Sequence, residues 1–110
     1  MTLFERIIAR EIPADIVWED DAVIAVRDIH PQAPIHVLVI PKKLIPRLGD
    51  AAPSDGALLG RCLLAVGEVA RHLGLVDYRV VVNNGAGAGQ SVFHLHLHLL
   101  AGRPFGWPPG

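Results

Sequence analysis

The chain of 110 residues lacks several features that would define other kinds of protein. It has one cysteine, Cys62, so no intrachain disulfide can form and no paired-thiolate metal knuckle is available. It has no apolar run of about eighteen residues, the length a membrane-crossing helix needs. It has no basic tract. Ten Lys and Arg face eleven Asp and Glu, for a net charge of -1, and Lys42-Lys43 is the lone adjacent basic pair. A nucleic-acid polymer is therefore not an expected partner, nor is a membrane. No basic segment followed by a long apolar run opens the chain, so the expected compartment is the cytoplasm. There is no internal repeat.

What is present suits one domain over residues 1–110. Hydrophobic residues make up 51% and charged residues 19%, an apolar balance that points toward self-association. Proline and glycine concentrate at Pro31 to Pro34, at Gly85 to Gly89 and in the Pro104 to Gly110 tail, where they punctuate ordered elements.

Phe4, Ile7, Ile8 and Ile12 recur at helical spacing and predict a short amphipathic helix ending near Pro13. Thr2 is its expected N-cap, with Glu5 as capping-box partner. Ile16 to Trp18 and Ala22 to Val26 read as a hairpin turning at Asp20-Asp21. His30-Pro31-Gln32-Ala33-Pro34 cannot continue a strand, because its prolines remove two donors. Ile35 to Ile40 is a dense β-branched run and the expected central strand. A long helix is predicted over Pro53 to Leu73, with Cys62 on its apolar face, His72 in its last turn and Gly74 as its stop. Tyr78 to Val82 reads as a strand, Asn83 to Gly89 as a loop, and Ser91 to Leu100 as a final strand of strict alternation. The order α-β-β-β-α-β-β, with hairpin-like connections, argues for an α+β fold on a mainly antiparallel five-stranded sheet.

The chemistry concentrates in His94-Leu95-His96-Leu97-His98. Alternate side chains of a strand share a face, so three imidazoles align over roughly 13 Å while Leu95, Leu97 and Leu99 bury on the other side. A positioned imidazole can attack phosphorus and form a covalent intermediate that water then cleaves. Its neighbours can set its tautomer or neutralise phosphate oxygens. The residues alone leave other readings open: a zinc site that also uses His36, a solvent-facing polar stripe, or a binding surface without chemistry. The loop carrying Gly85, Gly87 and Gly89 lies just before the histidines. Its backbone N–H groups suggest an anion-binding nest, with Gln90 and Ser91 adding donors. It is not a P-loop, because no Gly-Lys-Ser/Thr follows. Asp28 is either a turn cap or an acceptor for a sugar hydroxyl.

The run His94-Leu95-His96-Leu97-His98-Leu99-Leu100 resembles the histidine triad of the HIT superfamily. Phe4-Glu5-Arg6-Ile7-Ile8, Asp28-Ile29, Pro31-Gln32-Ala33-Pro34, Ile40-Pro41-Lys42-Lys43, Gly89-Gln90-Ser91-Val92 and Trp107-Pro108-Pro109-Gly110 resemble its Hint branch, the histidine triad nucleotide-binding proteins. The resemblance implies a HIT-like fold and a homodimer whose sheets join into ten strands, with residues 101–110 a tail reaching that interface. It implies hydrolysis of purine nucleoside phosphoramidates such as AMP joined to an amine. His96 would be the nucleophile, His98 a phosphate contact and His94 a support for the nucleophile, with His36 helping to hold His94. Asp28 would bind ribose, and Ile29 would flank the base. Asn83, Gly89, Gln90 and Ser91 would contact the nucleotide, and Trp107 would reach the partner subunit's site. No cofactor and no metal are implied. Leu44 stands where a zinc-binding histidine is frequent among relatives, and the N-terminal cysteines that accompany it there are missing. His30 stands where serine is common, and Gly106 where histidine is. The alternatives are a dinucleoside polyphosphate hydrolase of the Fhit type and a nucleotide-binding adaptor with little turnover.

Overall fold

The computed structural model describes residues 1–110. The first helix, α1 (Leu3–Ile8), is only six residues long, too short to be stable by itself. It is held by its ends. Thr2 Oγ1 accepts from the Glu5 N–H at 3.1 Å, and Glu5 Oε1 accepts from the Thr2 N–H at 2.8 Å, so the expected capping box is formed. The helix does not continue to Ile12. Arg10 adopts φ 61, and the Glu11 and Arg10 N–H groups donate back to the Arg6 and Ile7 carbonyls at 2.9 and 3.0 Å. This reversed end lets Ile12 return beside Phe4 and Ile7 from beyond the turn.

The hairpin forms as β1 (Ile16–Glu19) and β2 (Val23–Arg27). Asp20 Oδ1 accepts from the Ala22 and Val23 N–H groups, both at 2.8 Å, which closes the turn. After the proline turn comes β3 (Ile35–Pro41), then two short 3₁₀ turns and α2 (Gly56–His72). The α2 helix ends as expected at Gly74, where φ is 70, with the Leu75 N–H donating to the Ala70 carbonyl at 2.8 Å. The last strands are β4 (Arg79–Val81) and β5 (Leu97–Ala101). All pairings are antiparallel and the strand order is β1-β2-β3-β5-β4.

Alternation along β2, β3 and β5 divides the core between two faces. Val23, Ala25, Val37, Val39, Leu97 and Leu99 pack against Cys62, Ala65, Val66 and Val69 of α2. On the opposite face Ile24, Val26, Leu38 and Ile40 pack against Phe4 and Ile7 of α1. That second face is only partly covered, because α1 is short, and His36 and His98 project from it.

The final strand is shorter than its alternation suggests. Regular pairing begins at Leu97, opposite Val39. Continuing that register would set Leu95 against Pro41, which has no N–H to give. Instead the Leu95 N–H donates to the Ile45 carbonyl at 2.7 Å, and the His94 ring takes the Pro41 carbonyl. His94 and His96 therefore stand beyond the ladder, in an irregular lead-in whose leucine, Leu95, is still buried.

Candidate active site

The histidine row is continuous from α1 to β3. Phe4 meets His94 and His96 edge-on, at 6.0 and 4.9 Å between ring centres, and His96 meets His98 at 4.9 Å. His94 and His96 are buried and His98 is half-buried. Burial disfavours the charged imidazolium, so His36, His94 and His96 all have pKa values below the ordinary one. His98 is pushed from 6.5 down to about 4, by burial first and then by the neighbouring His96 and His36. The row is neutral near pH 7.

In neutral imidazoles the hydrogen-bond partners determine the tautomers. The His96 Nδ1 lies 2.7 Å from the His94 carbonyl, which can only accept. Nδ1 therefore carries the proton and Nε2 keeps its lone pair. The opposite assignment holds at His98. His36 Nδ1 accepts from the Gln32 N–H at 3.0 Å, so His36 Nε2–H donates to His98 Nδ1 at 2.9 Å, and His98 presents Nε2–H as a donor. A nucleophile-competent nitrogen and a donor thus stand on adjacent rings. Asp28 Oδ2 lies 3.4 Å from His36 Nε2, where it supports the proton on that nitrogen.

His94 belongs to a third set of bonds. Its Nε2–H donates to the Pro41 carbonyl at 2.7 Å, and its Nδ1 accepts from Thr2 Oγ1 at 3.2 Å. The expected link between His36 and His94 is therefore corrected: His36 holds His98. The cause is strand register. His36 faces Leu100 and His98 faces Leu38, so the two imidazoles are diagonal neighbours on adjacent strands.

Two cavities adjoin the row. One, of about 320 Å³, has an apolar wall built by Phe4, Ile7, Ile12, Val26, Ile29 and Leu38, and it reaches His96. The other, of about 440 Å³, is polar and includes Gln32, His36, Asn83 and Gly89. They meet at Asp28, His30, Ser91 and His98, which line both. Asp28, Ile29, Asn83, Gly89, Ser91 and the histidines His36, His96 and His98 thus line one or both of these adjoining cavities.

Gln90 does not. Its side chain is buried: Oε1 accepts from the Gly85 N–H at 2.8 Å, and Nε2 donates to the Pro46 and Val92 carbonyls at 2.8 and 3.0 Å. It ties the loop rather than facing either cavity. The loop is also not an open nest. The N–H groups of Gly85, Ala88, Gly89 and Gln90 are all spent inside it. Positive φ values of 91 at Gly85 and 98 at Gly89 make this tight fold possible, and its effect is to hold Gly89 and Ser91 at the cavity wall. Trp107 is 83% exposed and lines neither cavity of its own chain.

The zinc reading does not fit this arrangement. Donor atoms of Asp28, His36 and His98 lie within 4.8 Å of one another, but the facing nitrogens of His36 and His98 already share a proton. Thr2, Phe4 and Gln32 are part of the site's support, whereas local sequence reads them as a helix cap, a helix face and a turn. Thr2 and His94 are 92 positions apart, and no local spacing could have paired them.

An antiparallel α+β sheet that sets a lone-pair imidazole beside a donor imidazole, where an apolar cavity meets a polar one, defines a histidine-triad site for a small molecule. A HIT domain model matches residues 9–105, and the chain belongs to the HIT family, in the branch that includes a bacterial phosphoramidase. That relative, the purine nucleoside phosphoramidase of Escherichia coli, is 47% identical over 107 residues, 96% of this chain and 90% of its own. An uncharacterized HIT-like protein of Synechocystis is 62% identical over 110 residues, 99% of this chain and 96% of its own. The crystal structure of a HIT family hydrolase from Legionella pneumophila matches with a TM-score of 0.96 and 47% identity, covering 100% of both chains.

Proposed function

We propose that the protein hydrolyses the phosphorus–nitrogen bond of purine nucleoside phosphoramidates through a nucleotidyl intermediate on His96. The observation that carries this reading is the His96 Nδ1–H bond to the His94 carbonyl, which leaves Nε2 unprotonated at the cavity. The nucleoside occupies the apolar-walled cavity, with Asp28 toward the ribose and Ile29 along the base. The phosphate lies at the junction, in reach of the His98 Nε2–H, with Asn83 and Gly89 on its polar side.

His96 Nε2 attacks the α-phosphorus. The phosphorus–nitrogen bond to the amine breaks with its electron pair left on nitrogen, and the nitrogen takes a proton from solvent water at the exposed Ser91 end of the junction, leaving hydroxide. Charge developing on the phosphate oxygens is stabilised by the His98 donor, which His36 keeps in the required tautomer. Water then attacks the same phosphorus and breaks its bond to His96. AMP is released, His96 returns to its neutral Nδ1–H form, and the proton that water loses neutralises the hydroxide left by the first step. The second step is favoured because a neutral imidazole is a good leaving group from phosphorus.

The 47% identity to a protein named as a purine nucleoside phosphoramidase supports the same substrate class. A homodimer joining two sheets along β4, with Trp107 reaching the partner's site, is part of this proposal, as is a single domain over 1–110 with its tail at that interface. The proposed setting is cytoplasmic.

The test is release of a fluorescent amine from its AMP conjugate, without added metal, by the wild-type protein and by His96→Ala. Loss of about three orders of magnitude or more is expected in the variant. Equal release by both proteins would remove His96 from the role. Binding of AMP without turnover by the wild type would favour an adaptor, and preference for a diadenosine polyphosphate would favour the Fhit-type reaction.

A further inference from the structure

Four of the site's imidazoles are already engaged. His36 and His94 use both ring nitrogens, and His96 and His98 each spend Nδ1. His30 differs from them. Its backbone is pinned on both sides: the N–H donates to Asp28 Oδ1 at 2.8 Å, and the carbonyl accepts from Gln32 Nε2 at 3.0 Å. The residue is exposed, its ring has no hydrogen-bond partner in the chain, and His30 lines both cavities where they meet. A ligand that fills both cavities must pass this point with its central group.

The charges around His30 favour an anionic oxygen there only if something offsets Asp28, which lines the same junction. Arg27 is not at the junction: it lines only the apolar-walled cavity and pairs with Asp15 at 3.4 Å. His36 does not offset Asp28, because both its nitrogens are bonded. The remaining junction groups able to donate are Ser91, His98 and His30.

We infer that His30 is a substrate-contacting residue, whose imidazole donates a hydrogen bond to an anionic oxygen of the ligand at the junction of the two cavities. The inference rests on the nucleotide reading above and adds to it a residue that selects for the anionic part of the ligand. The oxygen can belong to the α-phosphate or to an acid group carried by the leaving amine, since the recognising chemistry is the same. The exposed position makes the ring free to meet either, while the pinned backbone limits the freedom lost on binding.

The experiment compares wild type, His30→Ser, His30→Gln and, as a remote control, His72→Ser. Calorimetric binding is measured for adenosine and for AMP. Steady-state KM is measured for AMP joined to a neutral alkyl amine and for AMP joined to glycine. If the oxygen is on the phosphate, His30→Ser weakens AMP about threefold to tenfold, the size of one charge-assisted bond at an exposed site. Adenosine is then unaffected, and His30→Gln retains part of the affinity. If the oxygen is on the leaving group, AMP is unchanged and KM rises only for the glycine conjugate. Either pattern supports the contact, provided His72→Ser behaves as wild type. Equal loss for adenosine and AMP would assign His30 to the nucleoside wall and overturn the inference. No change with any of the four ligands would also overturn it. A wild-type protein that binds neither adenosine nor AMP would overturn the nucleotide reading first and this inference with it, a failure visible before any variant is compared.

Discussion

At the scale of single residues, the site is a set of tautomers held by hydrogen bonds. Carbonyl oxygens of His94 and Pro41 oblige His96 and His94 to carry protons on defined nitrogens, and the Gln32 N–H does the same for His36. Burial keeps these rings neutral, and this has a consequence for pH. In the unfolded chain the same imidazoles take up protons as pH falls below 6.5, whereas folded His98 resists until about 4. Between those values the unfolded state binds more protons, so acidification shifts the balance toward it. His36, His94 and His96, also lowered, act in the same direction. The melting temperature should therefore show no contribution from these groups above pH 6.5 and should fall as pH drops from 6.5 toward 4. Thermal melts at several pH values check this, and a protein stabilised by acidification from pH 6.5 to 5 would contradict it. The alternation His94-Leu95-His96-Leu97-His98 made the row itself legible. The proton positions were not, because their determinants are backbone groups distant in sequence.

At the scale of elements, short segments are held by specific ends. The six-residue α1 depends on its capping box and on the reversed turn at Arg10, and Thr2 of that box also bonds His94. Its N-cap was readable from Thr2 and Glu5, but its early end was not, because Ile12 keeps helical spacing from beyond the turn. The β5 strand has an analogous constraint at its far end. Gly102 has φ 95, and a Cβ there would lie 2.7 Å from Pro34 Cβ, just before β3. Gly102→Ala should destabilise the fold by about 2–4 kcal/mol, combining backbone strain with overlap between two rigid groups. The urea midpoint measures it. Because β3 and β5 carry His36 and His98, the substitution should also reduce turnover of the folded fraction. An unchanged midpoint would show that the Pro34 turn yields without cost. The truncation of β5 at Leu97 was hidden for a related reason: polar–apolar alternation continues through His94, but Pro41 cannot complete the ladder.

At the scale of the whole molecule, α2 packs on one face of the sheet, leaving Val80 exposed at the β4 edge, and the other face is open enough to hold a ligand. The sheet ends in β4, a three-residue edge strand with one side unpaired. Leu63 and Leu64 on α2 are 60% and 72% exposed, and Val80 of β4 is also exposed. The proposed dimer would cover this edge. Sedimentation equilibrium should give twice the chain mass of 11.9 kDa, and Leu64→Lys should shift the protein toward monomer. A wild-type monomer at micromolar concentration would contradict the shared sheet and leave Trp107 without a partner site.

Local sequence determined the element order, the two faces of the central strands, the caps at Thr2 and Gly74, and the row of three histidines. These follow from periodicity and backbone chemistry within a few residues. The tertiary structure alone decided which imidazole serves which: His36 meets His98 across 62 positions, Thr2 meets His94 across 92, and Gln90 turns inward to its loop. Such contacts depend on sheet register and on the competition for buried carbonyls, and neither is set until the whole chain has folded.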